Sequence, residues 1–282
     1  VDTIENMTAE ITSAISEVEG VSAVVLGGSR ARGTHNSKSD VDMGIYYHPD
    51  RPINLVALKK IAACFDDEHR ENALTPIGGW GPWINGGGWL NVRFTPVDFL
   101  FRDLGKVSAV IDACLRGEIE MAYQPGHPHG FVSSIYLSEV AVCKILWESE
   151  LGELTALKKK VVPFPRMLKR ALIEKFGWEI DFSLSVARKA VPRGDVVYAA
   201  GCCFRAAACM LQVLFAINEE YWLNEKGAVA MADSFRSRPE KFKERIESTI
   251  PVLEDNGDAI ENAIDMLQEL SRETMMLVNN GL

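Results

Sequence analysis

Residues 24–47, VVLGGSRARGTHNSKSDVDMGIYY, restrict the fold more than any other stretch of the chain. A short apolar run ending at Leu26, a turn of small residues at Gly27, Gly28 and Ser29, a polar connection and a second apolar run read as two strands joined by a loop. The second strand carries Asp40 and Asp42, separated by one residue. Strand side chains alternate faces, so both carboxylates project from the same side, roughly 6–7 Å apart at their Cα atoms.

The flanking segments extend this into a mixed α/β half. Ile4, Met7, Ile11, Ile15 and Val18 recur at helical spacing over residues 3–19, with Asp2 and Glu5 as a capping box and Gly20 as a stop. A helix is expected over about residues 53–67 and another near 104–115. LNVRFTPVDFLF alternates as one strand over about residues 89–101, and its Asp98 points away from Val97 and Phe99. A further strand is expected at 119–124. Between these, TPIGGWGPWINGGG (residues 75–88) is too rich in glycine and tryptophan for a helix or regular strand. It reads either as a loop whose tryptophans cover the sheet edge, or as a mobile flap placing Trp80 or Trp83 near a substrate ring.

From about residue 133 helical patterns follow one another, at 133–148, 151–162, 166–191, 195–220, 226–236, 239–249 and 252–278, jointed by Pro163, Pro165, Pro192, Pro239 and Pro251. The expected fold is therefore α+β: a mixed sheet with flanking helices over residues 1–132, then an all-α bundle over 133–282.

A formal charge of −9 argues against a surface built to neutralise many phosphates of a long nucleic acid. Small substrates, including cationic ones, fit it better. The six cysteines form no C-x-x-C pair and stand mostly among apolar residues, arguing against zinc or a disulfide framework. No signal-peptide pattern opens the chain, and no uninterrupted apolar run reaches membrane-spanning length, so a cytoplasmic location without membrane association is the expectation. His127 and His129 stand one residue apart in a turn, as a surface pair or as metal ligands.

Gly28-Ser29, a spacer of about ten residues, Asp40-x-Asp42 and Asp98 on a later strand together resemble the nucleotidyltransferases of the DNA polymerase β type. Within that superfamily the sequence is most similar to the small-molecule branch, which includes aminoglycoside and lincosamide adenylyltransferases. There a minimal catalytic domain precedes a helical bundle. The Gly/Trp loop, VDFLFRDLGKV and FAINEEYWLNEKG resemble a bacterial nucleotidyltransferase family of that branch.

The resemblance implies that Asp40, Asp42 and Asp98 hold two Mg2+ ions, with Asp98 serving the attacking hydroxyl and accepting its proton. Oxygen-only donors and in-line displacement between two ions agree with that chemistry. It implies that Gly28 and Ser29 face the triphosphate of ATP or another NTP. Arg30 and Arg32 are candidates for its charge, as is Lys226 from the helical half, where Tyr221 and Asn218 are neighbours. Glu148, Glu150 and Glu153 are candidates for a separate base or for helix caps. The implied reaction is transfer of a nucleoside monophosphate, AMP from ATP first, to a hydroxyl of a small molecule, with pyrophosphate released and the substrate held between the domains. Two rival readings are a protein-adenylylating enzyme of antitoxin type and a non-catalytic nucleotide-binding module.

Overall fold

The structure is a computed structural model, and it describes residues 4–250, 253 and 256–281. Asp2 of the expected capping box, Pro251 and the start of the last expected helix lie outside the described residues. The chain forms two compact units, Val1–Asp112 with Tyr136–Pro163, and Ala113–Ile135 with Phe164–Leu282.

In the first unit α1 (Ile4–Ser16) leads to β1 (Val21–Leu26), the short α2 (Gly28–Arg32), β2 (Val41–Tyr47) and α3 (Leu55–Phe65). Then come β3 (Gly87–Val92), β4 (Thr95–Asp103) and α4 (Leu104–Leu115), whose last turn passes into the second unit. The second unit's hairpin, β5 (Met121–Ala122) with β6 (Phe131–Val132), intervenes before the chain returns with α5 (Ser134–Val142), β7 (Lys144–Glu148) and α6 (Glu153–Val161).

The five-stranded sheet has the order β3-β4-β2-β1-β7, with β2 and β4 parallel and every other pair antiparallel. One face is apolar. Val41, Met43 and Ile45 of β2, Val97, Phe99 and Phe101 of β4, and Leu90 and Val92 of β3 pack with Met7, Ile11 and Ile15 of α1 and Leu58 and Ala62 of α3. Fully burying side chains of this size contributes about 1.5–3 kcal/mol each, which sets the register of β2.

On the opposite face, cross-strand partners form three rows. Asp42, Asp98 and Trp89 share the first, and Gly44, Leu100 and Gly87 the second. Tyr46 and Arg102 begin the third, which α5 seals. Arg102 is buried and donates to both carboxylate oxygens of Glu139 (2.8 and 2.7 Å), to Ile84 O (2.9 Å) and, with its ring neighbour Tyr136, forms a cation–π contact of 5.5 Å. Burial works against the guanidinium charge, but Glu139 outweighs it and holds the Arg102 pKa above its usual value. The first row stays the more open, with Asp42 and Asp98 half-buried and Trp89 exposed, whereas Gly44 and Gly87 of the second are buried.

Two expectations are corrected here. The single strand at 89–101 is a hairpin, turned at Arg93 and Phe94, both with positive φ (52° and 62°). Neither residue advertises that conformation, but the Asp67 carboxylate accepts both their N–H groups at 2.8 Å and holds the turn. The helix expected at 133–148 stops at Val142, and residues 144–148 instead complete the sheet beside β1. Lys158 of α6 makes that stop possible by donating to the carbonyls of Val140, Ala141 and Cys143 (3.1, 2.6 and 2.8 Å).

Asp66, shielded from solvent at the end of α3, fixes the edge strand β3. Its carboxylate accepts from Arg70 Nε (2.8 Å), Arg70 Nη2 (2.7 Å) and the N–H of Asn91 (3.0 Å), while Arg70 Nη2 also donates to Trp89 O (3.0 Å). The Arg70 hydrogen bonds hold this carboxyl well below the usual range despite burial. A depressed folded pKa means that the native state binds fewer protons, so this stabilisation is complete above the unfolded value of about 3.9 and is lost as pH falls from there toward the folded value. Asp66→Asn is expected to cost about 2–3 kcal/mol at neutral pH. The urea midpoint of the variant should also depend less on pH below about 4 than that of the parent protein.

In the second unit the long helices α7 (Arg166–Ala187) and α8 (Val196–Ile217) pair across a 3-10 segment at Arg188–Arg193. They are joined by α9 (Ala228–Ala232), α10 (Phe242–Thr249) and α11 (Gly257–Gly281). α8 is long and apolar enough to cross a membrane by length and composition alone. Most of that stretch, 61%, is buried within the protein, and its Arg205 pairs with Glu179 of α7 at 2.6 Å.

Candidate active site

The end of β1 and the start of β2 bring the glycine turn against the acids. Gly27 N–H donates to Asp42 O (2.8 Å), placing Gly28 directly beside the Asp42 side chain. Gly28 has φ +57°, and a Cβ there would lie 1.8 Å from Asp42 Oδ2, so any larger residue would displace the Asp42 carboxylate. Gly28 to Arg32 form α2 rather than an open turn, closed by Gly33 at φ +80°.

Asp42 and Asp98 are cross-strand partners in the parallel pair β2–β4, and Asp40 precedes β2. One carboxylate oxygen from each of the three lies within 4.8 Å of the others, and all three are half-buried. Three carboxylates that close repel one another unless a cation sits between them, and an all-oxygen donor set suits a hard divalent ion such as Mg2+. Among the described residues no other group of three His, Cys, Asp or Glu meets this spacing.

Arg30 is committed to the loop that carries Asp40. Its Nε donates to Asp40 O (2.8 Å) and its Nη2 to Ser39 O (2.6 Å), while Ser39 Oγ and Asn36 close the same loop (3.0 and 2.8 Å). Two of the five guanidinium N–H groups thus hold the loop that positions the acid. Arg30→Met is expected to weaken Mn2+ binding, followed by isothermal titration, on the order of 10-fold or more, as for other residues that orient ligands. Ser29 and Arg32 are half-buried in α2.

The other candidates are placed within their own units. Lys226 lies exposed in the second unit, in a turn where its N–H donates to Asn224 Oδ1 (2.9 Å). Asn218 closes α8, donating to Leu214 O and Ser237 O (both 2.8 Å), and Tyr221 packs on Phe164 at 5.0 Å with burial pushing its phenol up to about 12. Glu148 caps α6, accepting from the N–H groups of Leu154 and Thr155 and from Thr155 Oγ1. Glu150 is exposed, and Glu153 opens α6 with Arg51 at 3.7 Å.

Glu225 holds the histidine turn by accepting from His129 N–H (2.7 Å), with His127 Nδ1 at 3.5 Å. Burial and then the Arg205 charge depress the His129 pKa to about 4, so this imidazole is neutral at physiological pH.

The Gly/Trp loop is fastened along its length. Thr75 and Gly87 bond reciprocally, Arg102 donates to Ile84 O, and Lys106 donates to Pro82 O and covers the Trp83 ring at 4.1 Å. Trp83 is buried beside Tyr136, whose hydroxyl donates to its carbonyl (2.5 Å). Trp80 stacks on Trp89 of β3 with centroids 4.5 Å apart. Trp89, the third tryptophan of this region and 61% exposed, is the residue that sequence reasoning passed over. Its signal was its place in the alternation of β3, visible only once the hairpin register was known.

Residues 9–77, spanning the glycine turn, Asp40 and Asp42, match the model of the nucleotidyltransferase domain family. Over these residues the chain carries a nucleotidyltransferase domain. Residues 132–226 match a second family, described as a domain of unknown function (DUF4037). No curated protein matches the sequence. Among solved structures the chain is similar to a nucleotidyltransferase-like protein from Exiguobacterium sibiricum 255-15, at 12% identity and a TM-score of 0.45, over 98% of this chain and 77% of that one. The first match supports a transferase that moves a nucleotidyl group at an acidic, metal-binding site. It ends before Asp98, which only the strand register adds to the cluster.

Proposed function

We propose that this protein transfers a nucleoside monophosphate, AMP from ATP in the first instance, to a hydroxyl of a small molecule. The observation that carries the reading is the approach of Asp40, Asp42 and Asp98 to within 4.8 Å, with Asp42 lying where a Cβ on Gly28 would stand. Asp40 and Asp42 would hold the two divalent cations, and Asp98 would complete the ligand set and take the proton of the acceptor hydroxyl. Mg2+ bound there would polarise the α-phosphate and stabilise the departing pyrophosphate. Gly28 and Ser29 offer the triphosphate their N–H groups. The acceptor oxygen forms its bond to the α-phosphorus as the bond to the bridging oxygen of pyrophosphate breaks.

Lys226, exposed in its turn, is proposed as a further triphosphate ligand, and the helical unit as the part that selects the acceptor. The six free thiols agree with a reducing, cytoplasmic setting. Pyrophosphate release, measured with ATP and Mg2+ over a panel of hydroxylated small molecules, tests the reading. Release that depends on one acceptor class and on the cation is expected. Nucleotide bound without release over the whole panel would refute it.

A further inference from the structure

Trp89 is an exposed indole at the rim of an acidic site. It is the direct cross-strand partner of Asp98, as Asp98 is of Asp42, so the three share one face in one row. Trp80 lies on that same face over Gly87, where a Cβ would meet its ring at 3.0 Å, and stacks on Trp89 at 4.5 Å. Leu100, the partner of Gly87 and half-buried, extends the apolar floor. The edge strand gains little from this pair, because Arg70 and Asp66 already hold its backbone and Trp83 fills the adjoining core. A stacked, partly exposed tryptophan pair beside three carboxylates is an apolar patch in need of a ligand.

Its side of the cluster determines which ligand. Across the sheet the order is the glycine turn at the end of β1, Asp42, Asp98 and then Trp89. In an in-line displacement the attacking and leaving oxygens stand on opposite sides of the phosphorus. With the triphosphate at the Gly28 flank, pyrophosphate departs toward β1 and the attacking hydroxyl arrives from β3. From this we infer that the Trp80–Trp89 shelf, about one strand spacing (~4.8 Å) beyond Asp98, seats the ring of the acceptor, an uncharged or cationic ring-bearing alcohol. Indole faces hold flat C–H or aromatic faces and cations, and the negative charge of their π-faces disfavours anionic rings. The inference rests on the nucleotidyl-transfer reading above.

Two binding arms test it with the full chain. A panel of methyl and phenyl glycosides, inositols and nucleosides is screened by saturation-transfer NMR, and Mg2+ with a non-hydrolysable α,β-methylene ATP is titrated separately. Ring compounds bound by the parent protein should bind on the order of 10-fold more weakly to Trp89→Ala and be retained by Trp89→Phe. Nucleotide affinity should be equal in all three, with thermal midpoints confirming the fold. The inference is overturned if Trp89→Ala leaves ring binding intact, if it weakens nucleotide binding instead, or if the parent protein binds no ring compound. Failure of the underlying reading shows in the nucleotide arm alone, as no nucleotide binding by the parent protein or none lost in Asp42→Asn.

Discussion

Asp42→Asn is expected to remove pyrophosphate release while leaving the fold intact or slightly more stable. The side chain keeps its shape, and the Asp42 carbonyl that receives Gly27 N–H is untouched. What changes is charge. Losing one of three carboxylates whose oxygens lie within 4.8 Å of one another weakens cation binding and relieves their mutual repulsion. Catalysis resting on several kcal/mol of charge stabilisation should fall on the order of 10³-fold or more. Thermal unfolding gives an independent reading. Saturating Mg2+ should raise the midpoint of the parent protein by mass action and leave that of Asp42→Asn nearly unchanged. A variant that keeps full turnover, or gains as much from Mg2+ as its parent, would show that the acids serve another purpose.

The acids themselves were legible in the sequence because their signal is local. Alternation over Val41–Tyr47 assigns Asp42 to the face opposite Val41 and Met43, and the glycine turn announces a place where a side chain cannot fit. Asp98 was legible for the same reason, although alternation alone does not say which strand neighbours which. What escaped were features settled by distant partners. The Arg93-Phe94 turn has no glycine or asparagine and depends on Asp67, 26 and 27 residues earlier. Strand β7 reads as helix because residues 133–148 contain no glycine or proline to mark a break, and only the open edge of β1 and Lys158 convert their end into a strand. Arg30 reads from the sequence as a candidate for phosphate, and its hold on the carbonyls of Ser39 and Asp40, nine and ten residues on, is invisible there. Tertiary partners override local preference in each case.

Gly28→Ala is expected to separate the glycine's two roles. At φ +57° an alanine accepts backbone strain of about 1–2 kcal/mol, and its Cβ would stand 1.8 Å from Asp42 Oδ2 and 2.7 Å from Cγ. The carboxylate tip is the softest element in that collision, so the fold survives while Asp42 swings out of the cluster. Pyrophosphate release should fall on the order of 10²–10³-fold, close to the loss from removing one fixed electrostatic contact, with Mn2+ affinity falling in parallel. Gly33→Ala is the matched control. It carries similar strain at φ +80°, but a Cβ there meets nothing within 4 Å. Its thermal midpoint should drop by a comparable few degrees, about 2–4 °C per kcal/mol for a chain of this size, while turnover and cation affinity stay near those of the parent. If both variants lose activity equally, backbone strain around α2 governs the site. If only Gly28→Ala does, the requirement for glycine lies in the space that the Asp42 carboxylate occupies.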